Sequence, residues 1–346
     1  MSAPQRLRFT NAHLFGPVDD WRPGWLLTEG RRIHLMGPGQ PPPFPKGSVS
    51  QQIDAIGKIL LPGFMDLHVH GAMGHDTMDA SPEGLRAMAQ FYARHGVTAF
   101  LPTTWTAARR DIMQALRAVA QTMGPIPGGA TILGAYLEGP YLNPAKRGAH
   151  NPSYLRQPDL SAVARWSHTR GVRRRHLLRH ASLQRHATSG APRSRPRWRA
   201  AHRSASPVGV IPDGIHLHPS VVKLIWQAKG AAGVNVVTDA MAALGMPPGK
   251  YELGGIEVAV DETSARLSDG RLAGSILSLD QAVCNLVGFT GCSLSEAVST
   301  VTTVPAKVLG LTDRGRIAPG CIADLVLLTP ELKVVKTIVN GKVALE

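Results

Sequence analysis

The chain has 346 residues, 43% hydrophobic, with 36 glycines and 27 prolines, which suits a loop-rich globular enzyme of one to three domains. Its three cysteines (Cys284, Cys292, Cys321) are odd in number and lack metal-ligand spacing, so they read as buried thiols of a reducing compartment; no apolar run approaches the roughly 18 residues of a membrane span, and no signal-peptide core is present, so a cytoplasmic protein without a membrane partner is expected. The net charge of +14 would suit nucleic acid, but 12 arginines and no acidic residue fall between Arg165 and Arg203, so the basicity belongs to one segment and no nucleic-acid partner is expected.

From the N-terminus, "LRFTNAHLFG", "GWLLTEGRRIHLMGPG" and "IDAIGKILLPG" alternate short apolar runs with Gly/Pro punctuation and read as strands. A different rhythm follows. "EGLRAMAQFYARHGVTAFLPTTWT" is an amphipathic helix, a glycine stop and a buried strand; "RRDIMQALRAVAQTM" with "ATILGAYLEGPYLN" repeats the order. "PSVVKLIWQAKGAAGVNVVTDAM" repeats it again, and "LDQAVCNLVGFTGCSLSEAVSTVTTVPAKVLG" reads as helical. The last stretch, "GRIAPGCIADLVLLTPELKVVKTIVNGKVALE", returns to strands, with "VNGK" as a hairpin turn. The expected class is therefore α/β. A (β/α)8 TIM-type barrel spans 61–317, and a small β-sandwich domain is built from both termini, 1–60 and 318–346.

Polar residues gather where barrel strands end. "ILLPGFMDLHVHG" places His68 and His70 two apart, so both face one side of a strand. Glu138 closes the strand of "GAYLEGPY", "IPDGIHLHP" offers Asp213, His216 and His218, and Asp239 closes "NVVTDAM". Imidazoles and carboxylates converging on one mouth suit a divalent metal, which lowers the pKa of water toward neutrality, while a nearby carboxylate moves the proton. Each also has a plainer reading: Glu138 as a helix cap, Asp239 as an N-cap, and His34, His75 and His95 as surface or satisfied core residues. Glu252 and Glu296 read as solvated surface charges.

Five ordered motifs carry a resemblance. "LPGFMDLHVHG" is similar to the metal-binding strand of the amidohydrolase superfamily. "LEGPYLNPAKRGAHNP", "IPDGIHLHP", "VVTDAMAALGMPPGKYELGG" and "GRLAGSILSLDQAV" together resemble N-acetylglucosamine-6-phosphate deacetylases, over about residues 5–174 and 208–346. The resemblance implies hydrolysis of the acetamide of N-acetylglucosamine 6-phosphate to glucosamine 6-phosphate and acetate, in amino-sugar catabolism, by a homodimer. It implies Glu138 as a metal ligand, with His68 and His70 as the pair some members use for a second metal. Ala149, His150, Asp213, Gly214, Ile215, His216, Leu272, Ala273, Gly274 and Ser275 would contact the sugar phosphate, and Asp239 would serve as general base and acid. The metal expected is Zn²⁺, with Fe²⁺, Mn²⁺ and Co²⁺ as alternatives.

One region departs from the pattern. Two further histidine ligands, in a Gly-His-Ser/Thr motif and a His-Leu-Phe-Asn-Ala-Met motif, belong between "GVRR" (171–174) and "IPDGIH", and neither is present. The stretch His180–Arg193, "HASLQRHATSGAPR", can be encoded so that reading one base later gives Thr-His-Leu-Phe-Asn-Ala-Met-Pro-Pro-Leu-Gly-His-Arg, which contains the second motif. A frameshift entering near 174–180 and corrected near 207–210, together with a deletion, explains both the arginine-rich composition and the missing motifs. Residues 175–207 are therefore expected to be aberrant and without a fixed fold, and the chain as translated to be impaired. Two alternatives remain: a related amidohydrolase acting on another N-acyl amino sugar or a cyclic amide, and a basic nucleic-acid-binding protein that uses this segment as an arm.

Overall fold

The computed structural model describes residues 5–15, 20–43, 49–157, 177–179 and 206–345. The expectation about 175–207 concerns residues that lie, apart from 177–179, 206 and 207, outside this set; at Leu177–Arg179 it is corrected, because these residues form a strand paired parallel to Ala135–Leu137. The N-terminal strands are β1 (Leu7–Phe15), β2 (Asp20–Glu29), β3 (Arg32–Pro38), β4 (Gln51–Asp54) and β5 (Ile59–Pro62). Strand β2 runs antiparallel to both β1 and β3, whereas β4 and β5 lie parallel to the two halves of β1.

A parallel ring follows. It opens with β6 (Phe64–Val69), then a two-residue hairpin of β7 (Gly71–Ala72) and β8 (His75–Asp76), and helix α1 (Pro82–Arg94). Ser81 sets the start of α1 by accepting from the Gly84 amide at 3.0 Å, with Pro82 in the first turn. Leu85, Met88, Ala89, Tyr92 and Ala93 supply the buried stripe that lays the helix on the ring. Next come β9 (Val97–Thr104), α2 (Arg109–Thr122), β10 (Thr131–Ile132), β11 (Ala135–Leu137) and β12 (Leu177–Arg179). Every residue of β6 and β9 is buried, as a parallel strand flanked by helices requires.

The ring resumes with β13 (Val208–Val210), α3 (Pro219–Lys229) and β14 (Val234–Val236), β13 pairing parallel to β14. A parallel bridge from Val69 to Ala240 joins the continuation of β14 back to β6, so the last strand meets the first. Among the described residues the ring has six members, counting β10 and β11 as one. An antiparallel insertion of β15 (Gly249–Leu253), β16 (Ile256–Val260) and β17 (Ala265–Arg266) precedes α4 (Leu279–Thr290).

The long helical run splits into α4, α5 (Leu294–Ser299) and α6 (Thr303–Val308). Gly291 ends α4 in the left-handed region, and Ser293 with Glu296 forms the capping box that starts α5. Glu296 thus has a structural task, and Glu252 stays exposed on β15.

Strands β18 (Leu325–Leu328), β19 (Val334–Val339) and β20 (Lys342–Leu345) pair back onto β5, so both termini share one eight-stranded sheet. Period-two patterning gives its central strands two jobs. In β18, Leu325 and Leu327 join a core with Leu7, Phe9, Leu14 and Ile338, while Val326 and Leu328 join the core of the ring. The "VNGK" turn forms as expected, with Asn340 and Gly341 both at positive φ. A Cβ at Gly341 would lie 1.9 Å from the Gly30 carbonyl oxygen, so only glycine fits there. Cys292 and Cys321 are buried as expected; Cys284 is half-buried, and all three thiols are free. Among the described residues no helix is long and apolar enough to cross a membrane.

Candidate metal centre

Four side chains from three places in the ring meet at its mouth. His68 and His70 come from the end of β6 and the residue after it, Glu138 follows β11, and Asp239 follows β14. One donor atom from each lies within 4.8 Å of all the others. His68 Nε2 is 3.3 Å from His70 Nε2, 3.3 Å from Glu138 Oε2 and 3.2 Å from Asp239 Oδ1. His70 Nε2 is 3.1 Å from both Glu138 Oε2 and Asp239 Oδ1. Donors ~2.1 Å from a tetrahedral ion stand roughly 3.4 Å apart, close to this spacing. His70 Nδ1 faces the Thr103 carbonyl at 3.2 Å, which turns Nε2 toward the centre.

The fit to a divalent cation rests on one atom above all. Asp239 Oδ1 is buried and has no hydrogen-bond partner, although two imidazole nitrogens stand beside it. A buried carboxylate oxygen in that position calls for positive charge beside it, from a bound cation or from protonated imidazoles. Burial opposes charge on both imidazoles, but Asp239 and Glu138 outweigh it and raise His68 to about 9 and His70 to about 10. Burial likewise works against the carboxylates, yet the surrounding histidines hold Glu138 and Asp239 below the ordinary range. Protons on His68 and His70 thus supply the positive charge that a metal would replace.

The other expected residues divide. His150, fully buried, reaches Glu138 Oε1 with its Nε2 at 3.5 Å, while its Nδ1 meets Thr106 Oγ1 at 2.7 Å. Ala149 beside it is packed into a small core with Trp105, Met241 and Ala273. Ser275 donates its amide to the Asp239 carbonyl at 2.8 Å and its hydroxyl to the Thr238 carbonyl at 2.6 Å. Gly274 is at φ +72, and a Cβ there would come within 2.9 Å of the Asp239 carbonyl oxygen. Leu272 is only half-buried and opens this loop.

The 213–216 turn is a unit of its own. Asp213 Oδ1 accepts the Ile215 and His216 amides, each at 2.8 Å, with Gly214 at positive φ between them. Asp213 Oδ2 lies 2.6 Å from His216 Nδ1. Burial lowers His216, but Asp213 and then Asp239 raise it overall. Neither Gly214 nor Ile215 is among the four donors. His218 instead caps α3, accepting from the Ser220 amide, and His95 pairs with Asp280 at 3.1 Å. Neither joins the site.

Two residues of the site carry no signal of their own in the sequence. Trp105 stacks on His150 (ring centroids 3.8 Å apart, planes 13° apart) and meets His70 edge-on at 5.1 Å. Thr106 holds the other side of the His150 ring. Their place just past the C-terminal end of β9 is the only pointer to them.

A ring of parallel strands with histidines and carboxylates at its C-terminal mouth defines a metal-dependent hydrolase of the barrel class. The amidohydrolase family pattern matches residues 59–188 and 200–344, and the chain belongs to that family. It is 33% identical to the N-acetylglucosamine-6-phosphate deacetylase of Lysinibacillus sphaericus, over 95% of this chain and 94% of the relative. It is also 33% identical to the N-acetylgalactosamine-6-phosphate deacetylase of Escherichia coli O157:H7, over 83% of this chain and 88% of the relative. The crystal structure of the N-acetylglucosamine-6-phosphate deacetylase of Thermotoga maritima superposes with a TM-score of 0.81 at 30% identity, covering 98% of this chain and 99% of the other. The Lysinibacillus alignment runs over 374 positions, more than the 346 residues present here, so that relative has positions without a counterpart in this chain. The family match pauses at 189–199, inside the arginine-rich segment.

Proposed function

We propose that this chain carries the active site of an N-acetylglucosamine-6-phosphate deacetylase, with Glu138, His68 and His70 as metal ligands. The observation that carries the reading is the convergence of those three on Asp239 Oδ1, a buried oxygen without a hydrogen-bond partner. These residues would hold a divalent cation, Zn²⁺ first and Fe²⁺, Mn²⁺ or Co²⁺ next, which would supply polarisation of the acetamide and a more acidic water at neutral pH. Asp239 accepts the proton of the attacking water and returns it to the amine nitrogen as the amide C–N bond breaks, leaving acetate and glucosamine 6-phosphate. Its side chain remains partly open, unlike those of His68 and His70, as a group that exchanges protons with substrate must be.

His150, clamped by Trp105 and Thr106, steadies Glu138 and faces the substrate together with Ala149. The 213–216 turn and the 272–275 loop, whose Ala273 packs with Ala149, complete the proposed substrate contacts. We also assign residues 1–60 and 318–346 to a small β-sandwich domain and 61–317 to the barrel; the separate apolar cluster around Leu7, Phe9 and Leu325 supports the division. A homodimer follows from the family resemblance, and the three free thiols support a cytoplasmic setting.

The E. coli relative favours one second reading, the galactosamine epimer as substrate. Acetate release from the two N-acetylhexosamine 6-phosphates by the chain with its reading frame restored separates them. A kcat/KM at least ~10-fold higher for the glucosamine form is expected, since a site that hydrogen-bonds a substrate hydroxyl discriminates at least that strongly. The reverse order establishes the galactosamine reading, and release from neither removes both.

A further inference from the structure

The last strand is tied to the first by side chains as well as by backbone pairing. Asp66, in β6, is 2% exposed, and its two oxygens are both engaged. Oδ1 accepts from the His68 amide at 3.1 Å, and Oδ2 accepts from Thr238 Oγ1 at 2.6 Å, across 172 positions of sequence. Thr238, also 2% exposed, uses the same Oγ1 to accept from the Ala240 amide at 3.2 Å. Asp239 lies between those two residues. Its backbone has φ 53, its amide donates to the His68 carbonyl at 2.9 Å, and its carbonyl accepts from Ser275 at 2.8 Å.

A residue in the left-handed region breaks the regular strand ladder, so ladder pairing alone does not fix where its side chain points. The hydrogen bonds on either side of it do. Burying a carboxylate and a hydroxyl here is costly compared with an apolar pair of the same volume, and the pair stands directly behind the residue whose aim matters.

We propose that Asp66 and Thr238 are positioning residues: a clip between β6 and the strand end after β14 that holds Asp239 Oδ1 within the donor group. The proposal rests on the metal reading of His68, His70, Glu138 and Asp239. Every residue of the clip and of the donor group lies outside 175–207. The clip therefore operates in the chain as it stands, and this chain binds a divalent ion despite its altered segment.

The test is titration of the 346-residue chain, taken from the soluble fraction or refolded, with Co²⁺, followed by the visible absorption of the bound ion. The chain as it stands is expected to bind. Thr238→Val, which removes only the hydroxyl, is expected to weaken Co²⁺ binding by at least ~10-fold, because it frees the backbone on which Asp239 is aimed into the donor group; the scale is that of losing outer-shell support at a metal site. Thr238→Ser is expected to restore it. Thr122→Val serves as a control, because that buried threonine bonds only within α2, to the Ala118 carbonyl; it should lower the melting temperature and leave Co²⁺ affinity unchanged.

Undiminished binding by Thr238→Val overturns the clip. So do losses of affinity that track melting temperature equally in both valine variants, because they show a purely structural role. A folded parent chain that takes up no Co²⁺ removes the metal reading beneath the proposal, an outcome separate from either of these.

Discussion

At the scale of single residues, the site's chemistry depends on Asp239 and Glu138 in different ways. Asp239→Asn in the frame-restored chain keeps the shape of the side chain and removes its basicity, so turnover is expected to fall at least ~10²-fold, the usual contribution of a positioned acid/base. A near-normal rate would take Asp239 out of the proton transfer. Glu138→Gln removes the negative charge facing His68 and His70, so metal content should drop sharply; unchanged stoichiometry returns Glu138 to a substrate or structural role. The Asp213–His216 pair makes a prediction about pH. Burial opposes both charges, but each partner outweighs it for the other: Asp213 is held below its ordinary pKa and His216 above it. A lowered carboxylate stabilises the fold above its unfolded pKa, and a raised imidazole does so below its own. The pair is therefore fully effective between roughly pH 4 and 6.5 and fades as pH rises through the His216 value. His216→Ala should cost about 1–2 kcal/mol more stability at pH 6 than at pH 9, the worth of a charge-assisted hydrogen bond, and melting curves at the two pH values check it. The four donors were legible in the sequence because each ends a strand and the histidines are two apart. Asp66 and Thr238 were not, because what they do depends on a partner 172 positions away.

At the scale of elements, the regular helices and the terminal hairpin were legible because their stops are local: Ser81 before α1 and Pro82 at its first position, Gly230 after α3, Asn340–Gly341 in the last turn. The three-stranded insertion was not. "GKYELGGIEVAV" alternates over too few residues to stand out, and its meaning comes from packing, with Leu253, Val258 and Val260 sharing a core with Trp105, Ala149 and Ala273 beside the site. The docking of the C-terminal hairpin was equally hidden. Asp324 makes an ion pair with Arg314 and accepts the Asn340 amide at 2.8 Å, while Asn340 Nδ2 donates to Thr131 at the start of β10. That network ties the terminal sheet to the ring through buried charge. Removing one partner strands the other, which typically costs about 3–5 kcal/mol. Asp324→Ala should therefore lower the melting temperature by several degrees, and a double variant Asp324→Ala/Arg314→Met should recover part of the loss. If the single variant melts like the parent, the network does not hold the sheet to the ring.

At the scale of the whole molecule, the length of chain between strands limits how many members the ring can hold. Six parallel members are present among the described residues, and an eight-stranded barrel needs about 30 residues for each further strand and helix. Only residues 180–207 lie between the end of β12 and the start of β13, fewer than two such units need. The family match breaks inside this stretch, at 189–199. On the frameshift reading, the histidine of the motif obtained by reading His180–Arg193 one base later is one of the ligands this translation lacks. A catalytic metal needs three protein ligands of fixed geometry and an open position. His68, His70, Glu138 and Asp239 can hold an ion, but with Asp239 drawn in as a ligand it is less free to move a proton. The 346-residue chain is therefore expected to bind a divalent metal and yet deacetylate N-acetylglucosamine 6-phosphate at least ~10²-fold more slowly than the frame-restored, full-length chain, the scale set by losing an acid/base. Resequencing the gene across codons 170 to 212 and assaying both chains at equal metal content checks this directly. Equal turnover would mean that residues 175–207, as translated, complete the site, and that the frameshift is not the origin of their composition.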